Sequence, residues 1–255
     1  MLYGLYLSAA GVITSSHKQD VIANNLANAE TTGFRRDVPL FQERLTEAQS
    51  NRAGGGVTND LLEQLGGGIL ASPTHIDTGT GEFQPTGSQM DVAIEGDGYF
   101  AVDDNGAQRL TRNGSFRIEG SNLVLSDGSG RKVLDAQHRP IYLDGNLSSV
   151  TQIAQDGQIS QNGQPVGRIG VFDTPDSAKI TKQGDTLLNY PDTDKLLVNN
   201  SARVRSEFIE RANVDPTTEL ATLMQAQREL EANANMIRYQ DQTLSKLVNE
   251  VGKIS

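Results

Sequence analysis

The feature that most constrains this chain is a long C-terminal stretch with the period of a helix. Residues 217–251 contain neither proline nor glycine, so nothing within them interrupts a helix. One line of this stretch is aliphatic and repeats every seven residues: Leu223, Leu230, Ile237, Leu244 and Val251. At about 1.5 Å per residue, the helix is roughly 50 Å long. A helix of that length cannot bury its apolar seam inside a small domain, so the pattern predicts a partner for it.

The second line of the same seam is mixed in character, since it consists of Leu220, Gln227, Ala234, Asp241 and Val248. A tight two-stranded coiled coil needs both lines to be apolar. The pattern therefore favours a helix that several neighbours contact over a helix with a single mate.

The N-terminal segment has the same alternation of three- and four-residue steps. Its members are Leu2, Leu5, Ala9, Val12, Ser16, Gln19, Ala23 and Leu26. This spacing predicts a helix over residues 2–26, which ends in a turn at Thr31, Thr32 and Gly33. Residues 38–46 are expected to form a short extended or helical arm.

Between the two helical ends the composition changes twice. Residues 48–81 carry the glycine runs 54–56 and 66–68, which predict a mobile loop or linker. From residue 82 to about residue 190 the period is two, and Asn-Gly, Asp-Gly and Glu-Gly pairs separate short apolar runs. Many short strands without helices between them predict an all-β sandwich or barrel-like domain. Residues 173–212 are expected to be irregular, with one strand at 202–208.

The predicted fold class is therefore α+β, with long coiled-coil-like N- and C-terminal helices that flank a central all-β domain. The expected divisions are a helical domain of residues 1–33 plus 213–255, a glycine-rich linker over 34–81 and a β domain over 82–212. The terminal helices are expected to pack on each other or on copies of themselves.

Composition argues against several classes of function. The net charge of −10 disfavours nucleic-acid binding, and the absence of cysteine excludes disulfides and thiol chemistry. His17, His75 and His138 stand in unrelated contexts, which predicts no metal site. The sequence contains no run of about 18 apolar residues, so no membrane span is predicted. The first residues lack the charged start of a secretory signal. We therefore expect no catalytic, cofactor or metal-binding residues, although residue types alone leave a glycosidase-like carboxylate pair open.

Asparagines recur along the helical ends and allow two interpretations. Asn24, Asn25 and Asn28 lie near the end of the first helix, and Asn213 and Asn233 lie beside or within the last. They are either weak helix formers tolerated on a wet face, or amides that fix the register between packed helices.

Four motifs resemble the bacterial flagellar axial proteins of the rod and hook. They are VIANNLANAETTGFRR at 21–36, DVAIEGDGYFAV at 91–102, TRNGSF at 111–116, and NVD at 213–215 with the helix that follows it. They occur at both ends and in the centre, in the family's order. The sequence departs from the family pattern at Leu230, where many members have an aromatic residue, and in the glycine content of residues 48–81.

The resemblance implies a structural, non-enzymatic subunit of the flagellar basal body, with the length of a distal or proximal rod protein. Such a subunit is exported by the flagellar export apparatus without a cleaved signal peptide and assembles into a helical tube that spans the periplasm and transmits torque to hook and filament. Its implied partners are copies of itself, other rod and hook proteins, and ring proteins around the rod, with no nucleic acid and no membrane insertion. The resemblance also favours contacts between copies for the asparagines. The expected assembly residues are Leu2, Leu5, Val12, Asn24, Asn25, Leu26, Asn28, Leu223, Gln227, Arg228, Leu230, Asn233, Ile237 and Leu244.

Two alternatives follow from the same sequence. One is a hook or hook-associated axial subunit. The other, from a different class, is a carbohydrate- or peptide-binding β module that its helices dimerise.

Overall fold

Two long helices flank a central β-rich region, which makes the fold α+β. The structure, a computed structural model, describes residues 2–43, 68–144, 151–199 and 201–251. Helix α1 spans Leu2–Ala27 and helix α2 spans Pro216–Val251. Both helices predicted from the three-four rhythm are confirmed to within one residue at each end.

Short strands make up most of the chain between the helices. In the described residues they are β1 (Asp37–Glu43), β2 (Ile69–Ile76), β3 (Phe83–Pro85), β4 (Val92–Glu95), β5 (Tyr99–Asp104), β6 (Ala107–Thr111), β7 (Phe116–Glu119), β8 (Asn122–Leu125), β9 (Lys132–Val133), β10 (Thr151–Ile153), β11 (Gln158–Gln161), β12 (Gln164–Arg168), β13 (Val171–Asp173), β14 (Thr181–Gln183), β15 (Leu187–Asn189), β16 (Leu197–Val198), β17 (Arg203–Ser206) and β18 (Phe208–Glu210). Single 3-10 turns lie at Ser177–Lys179 and Thr193–Lys195.

One sheet dominates the described β region. Its strand order is β14-β15-β6-β5-β9-β8-β7, and β13 joins it by pairing with β5 and with β16. Smaller sheets are β10-β11-β12, β4 with β17, and β3 with β18. The last two pairs place the strands before α2 beside the strands that open the β region.

Strand β5 lies at the centre of the core because it is buried on both faces. Phe100 and Val102 pack into one apolar cluster, whereas Tyr99 and Ala101, which point the other way, pack into a second. All four side chains are at most 5% exposed. Two-sided burial explains why this strand is a continuous apolar run and does not alternate.

Two of the predicted turns are confirmed in detail. Asn105 and Gly106 have φ values of 55° and 88° and connect β5 to β6. Asn162 and Gly163, with φ values of 52° and 79°, connect β11 to β12 in the same way. Two successive positive φ values match the right-handed twist of the flanking strands, and Asn-Gly adopts them at low cost.

Other sequence expectations are corrected by the structure. Residues 173–212 are not irregular apart from a strand at 202–208, since β14, β15 and β16 also lie there. They are only two or three residues long, so they show no readable period. Residues 141–143, one of the short apolar runs of the predicted β domain, form no strand, and Tyr142 makes an isolated bridge with Asn122.

Regular structure also occurs at both ends of the range predicted as a linker. Strands β1 and β2 pair into a two-stranded sheet. Most of β2 is exposed, so burial imposes no alternation on its sequence. The glycine run at 54–56 lies outside the described residues.

The chain folds into two compact units. Among the described residues, the helical unit contains 2–26, 37–43, 68–75 and 216–251. The β unit contains residues 27–36 together with the described residues of 76–215. The turn after α1 therefore belongs to the β unit.

Candidate assembly interface

Within the helical unit, α1 and α2 pair in antiparallel directions. A Cβ atom built on Gly4 would lie 2.9 Å from Gln240 Nε2, and one built on Gly11 would lie 2.8 Å from Asn233 Nδ2. A step of seven residues forward along α1 thus corresponds to a step of seven back along α2. The missing side chain at each glycine leaves room for the amide of the facing residue.

Polar contacts continue the same register toward the other end of the pair. Lys18 Nζ lies 3.3 Å from Glu229 Oε2, with side chains 24% and 42% exposed. An ion pair with this much solvent contributes little to stability. It is consistent with a register that the two glycines set.

In the first half of α1 the most deeply buried side chains are small and polar, which corrects the seam predicted there from aliphatic spacing, whereas Val21 and Ile22 are buried in the second half. Ser8, Thr14 and Ser15 are at most 9% exposed, whereas Ile13 is 66% exposed. The Thr14 hydroxyl donates to the Ala10 carbonyl at 3.0 Å, so it can be buried without an unsatisfied donor. Sequence periodicity counts large apolar residues, but close helix packing selects small ones.

The seam of α2 is also rotated from its prediction. Ala226 is fully buried and Glu219 is 6% exposed, whereas Leu220 is 49% and Val248 is 70% exposed. The covered line beside the aliphatic one is therefore Glu219, Ala226, Asn233 and Gln240, and the line that starts at Leu220 faces outward.

The expected assembly residues fall into groups by exposure. The half-buried ones are Leu5, Val12, Leu26, Asn28, Leu223, Leu230, Asn233, Ile237 and Leu244. Asn24, Gln227 and Arg228 are exposed. The side chain of Leu2 lies outside the described residues.

Asn25 differs from the other members because it is 1% exposed. Its Nδ2 donates to the Asp37 carbonyl at 2.8 Å, and its Oδ1 accepts from the Asp37 N–H at 2.9 Å. A side chain bonded in this way and shielded from solvent fixes the chain's own path. Its geometry does not favour the contact between copies expected for it.

Large apolar side chains exposed on α2 are a feature that periodicity captures only in part. Met224, Met236 and Tyr239 are 49%, 52% and 65% exposed, in addition to Leu220 and Val248. Met224, Met236 and Tyr239 lie outside the three-four series, so the helical spacing does not identify them. Exposed apolar residues concentrated on one element mark a surface that another molecule covers.

The β unit contains a buried charge cluster around Glu210, which is fully buried. Its Oε1 lies 2.7 Å from Arg35 Nη1, and its Oε2 accepts from Arg112 Nη1 at 3.1 Å. The guanidinium carbon of Arg112 also lies 5.3 Å from the centre of the Tyr99 ring. Burial lowers the pKa of Arg112, against the opposing effect of Glu210, and burial raises the pKa of Tyr99. The motif that contains Arg35 is recognisable in the sequence, but its residue types give no sign that the charge of Arg35 is buried.

The part of the chain that the structure describes contains no group of three or more His, Asp or Glu side chains placed to hold a metal ion. Among the same residues, no helix has both the length and the apolarity to cross a bilayer.

Three family models match consecutive parts of the chain. A model described as flagella basal body rod protein matches residues 5–35. The D1 domain of flagellar hook protein FlgE/F/G matches residues 93–161, and the C-terminal model of flagellar basal body rod FlgEFG protein matches residues 205–250. These regions contain α1, the centre of the β unit and α2.

Curated relatives match over nearly the whole chain. The flagellar basal-body rod protein FlgG of Bacillus subtilis is 30% identical over 268 residues, covering 98% of this chain and 99% of the relative. The flagellar basal-body rod protein FlgF of Caulobacter vibrioides is 29% identical over 251 residues, covering 98% of each chain. FlgF of Mesorhizobium japonicum is 27% identical over 252 residues with the same coverage.

Proposed function

Since this chain belongs to the flagellar basal-body rod family and is a structural subunit of that rod, we propose that its terminal helices build a helical tube that carries torque from the motor to the hook and filament. The observation that carries the proposal is the set of large apolar side chains exposed on the helices, which includes Ile13 on α1 and Leu220, Met224, Met236, Tyr239 and Val248 on α2. Burying such side chains in contacts between copies is favourable by about 25 cal/mol for each Å² of apolar surface.

Membership of the family places the protein in the flagellar basal body and implies assembly with other rod and hook proteins. We propose more specifically that the flagellar export apparatus carries the subunit out. We also propose that the tube spans the periplasm and that ring proteins surround it.

The roles that we propose for the parts of the chain follow the expected divisions. Helices α1 and α2, within residues 1–33 and 213–255, line the tube with coiled-coil-like packing, and residues 82–212 form its outer layer. The exposed expected residues Asn24, Gln227 and Arg228 then contact neighbouring copies. A subunit of this kind carries load and has no catalytic role.

Both alternatives from the sequence lose support. The named relatives are rod proteins, which favours the rod over the hook. A carbohydrate- or peptide-binding module is not favoured either, because the relatives cover the helices as well as the β region.

The proposal is tested by placing a charge on the exposed face of α2. Leu220 is 49% exposed, so Leu220→Glu should change the free energy of unfolding of the purified monomer by no more than about 0.5 kcal/mol. In the producing bacterium the same change should abolish swimming, since a carboxylate would be buried between copies without a partner.

The matched control is Leu220→Met, which keeps the surface apolar and should support swimming. Motility is measured in soft agar, and monomer stability by urea unfolding. Normal swimming by the Leu220→Glu strain would contradict a packing role for this face.

A further inference from the structure

The covalent connections between the two units run through a few short segments. The chain passes from one unit to the other at 26/27, 36/37, 75/76 and 215/216. Any force that travels along the backbone between the units therefore enters the β unit through residues 27–36, the start of 76–215 or its end.

The Glu210 carboxylate bonds to these entry segments from the inside of the β unit. Besides Arg35 and Arg112, it accepts a hydrogen bond from the Gly81 N–H at 2.9 Å. The backbone carbonyl of Glu210 accepts from the Gly33 N–H at 2.8 Å. One fully buried residue thus joins the first entry segment, the second and the strand that leads to the last.

Asn213 joins the same segments through its amide. Its Oδ1 accepts from the Arg36 N–H at 2.7 Å, and its Nδ2 donates to the carbonyls of Asp77 and Gly79 at 3.1 Å and 3.0 Å. Arg35 Nη1 donates to the Gly79 carbonyl as well, at 2.6 Å. The backbone ends of the three segments are therefore cross-linked by directional bonds.

Stability alone does not explain a buried ion cluster at this place. Removing two guanidinium groups and a carboxylate from water is costly, and well-packed apolar residues often stabilise a fold as well or better. The small apolar cluster of Ala29, Phe34, Ala212 and Val214 in the same unit shows that apolar packing is available there. What charge-assisted hydrogen bonds add is direction and short length, so they resist sliding in a way that apolar contacts do not.

We propose that Arg35, Arg112, Glu210 and Asn213, here called the Glu210 cluster, form a load-bearing joint that holds the entry segments of the β unit together when the rod transmits torque. This rests on the proposed function. The cluster has no part in export or in the contacts between copies. Its role is to keep the segments from separating under load.

The test compares rotation at low and high load in the producing bacterium. Glu210→Gln keeps the shape of the side chain but removes its charge, and Asn213→Asp removes the two donated bonds without adding volume. The matched control is Glu119→Gln. It removes the charge from an exposed ion pair, in which the Glu119 carboxylate lies 2.9 Å from Arg117 and the Glu119 side chain is 58% exposed. Rods are imaged in isolated basal bodies, and rotation of tethered cells is recorded as the viscosity of the medium is raised.

We expect both cluster variants to assemble rods and hooks and to rotate like the parent at low load. At high load they should stop or lose the hook, while Glu119→Gln matches the parent throughout. If Glu210→Gln does not fold, as judged by circular dichroism of the purified chain, Asn213→Asp decides the question.

Two results would overturn the proposal that the Glu210 cluster is a load-bearing joint. One is a folded variant that rotates like the parent at every load, and the other is a folded variant that builds no rod, which would assign the cluster to assembly. Neither result touches the proposed function, which is tested separately by Leu220→Glu and by deletion of the chain.

Discussion

Buried and half-buried polar side chains in this protein bond to backbone groups that are distant in sequence. Asn25 bonds to Asp37 across 12 positions, and Asn213 bonds to Arg36 across 177. Both asparagines stand out in the sequence, where contacts between copies are predicted for Asn25. The partner of a buried amide is a main-chain group, which every residue carries, so residue types alone do not reveal it.

Tyr99 gives a prediction for the dependence of stability on pH. Its side chain is 5% exposed, and burial raises its pKa, with Arg112 and Arg35 acting in the opposite direction. The folded state therefore favours the neutral phenol more than the unfolded state does, in which the pKa is about 10. The contribution to stability is complete below that value and is lost as the pH rises through the folded pKa.

We expect the free energy of unfolding of the parent to decrease more steeply above about pH 10 than that of Tyr99→Phe, by up to about 1.4 kcal/mol per pH unit. Urea unfolding at several pH values measures both slopes. Parallel slopes would show that Tyr99 does not ionise at different pH values in the two states.

At the scale of elements, the sequence predicted the helices well and their contact faces poorly. The bounds of α1 and α2 follow from three-four apolar spacing and the turn residues beside it, which is local information. The contact faces depend on how closely the two backbones approach, and Gly4 and Gly11 allow an approach that lets Ser8 and Ser15 be buried. The short strands β14 and β15 were missed because only pairing defines them: β14 pairs with β15, and β15 pairs with β6.

The register of the helix pair can be tested at Gly11. A methyl group there would lie 2.8 Å from Asn233 Nδ2, so Gly11→Ala should clash unless Asn233 is shortened. We expect Asn233→Ala to relieve the clash, with a coupling energy of about 0.5 to 3 kcal/mol in a double-mutant cycle. Thermal unfolding followed by circular dichroism provides the free energies.

The control cycle pairs Gly11→Ala with Asn235→Ala, whose side chain is exposed on the same helix. It should show additivity within about 0.5 kcal/mol. A coupling of equal size in both cycles would contradict the proposed pairing of Gly11 with Asn233.

At the scale of the whole molecule, function could be predicted because the motifs occur at both ends and in the centre. The family models match the same regions, which include 21–35 within the first match and 213–250 within the last. The exposed apolar residues of the helices favour assembly, because contacts between chains would remove their apolar surface from water. The two units, in contrast, could not be divided from sequence alone, because the turn after α1 joins the β unit through long-range bonds such as that between Arg35 and Glu210.

The most direct test of the central claim is deletion of the gene followed by cryo-electron microscopy of isolated basal bodies. The account predicts basal bodies that end below the complete rod and carry no hook, with normal structures restored when the parent chain is supplied again. Complete rods with hooks in the deletion strain would contradict the conclusion that this chain is a structural subunit of the rod.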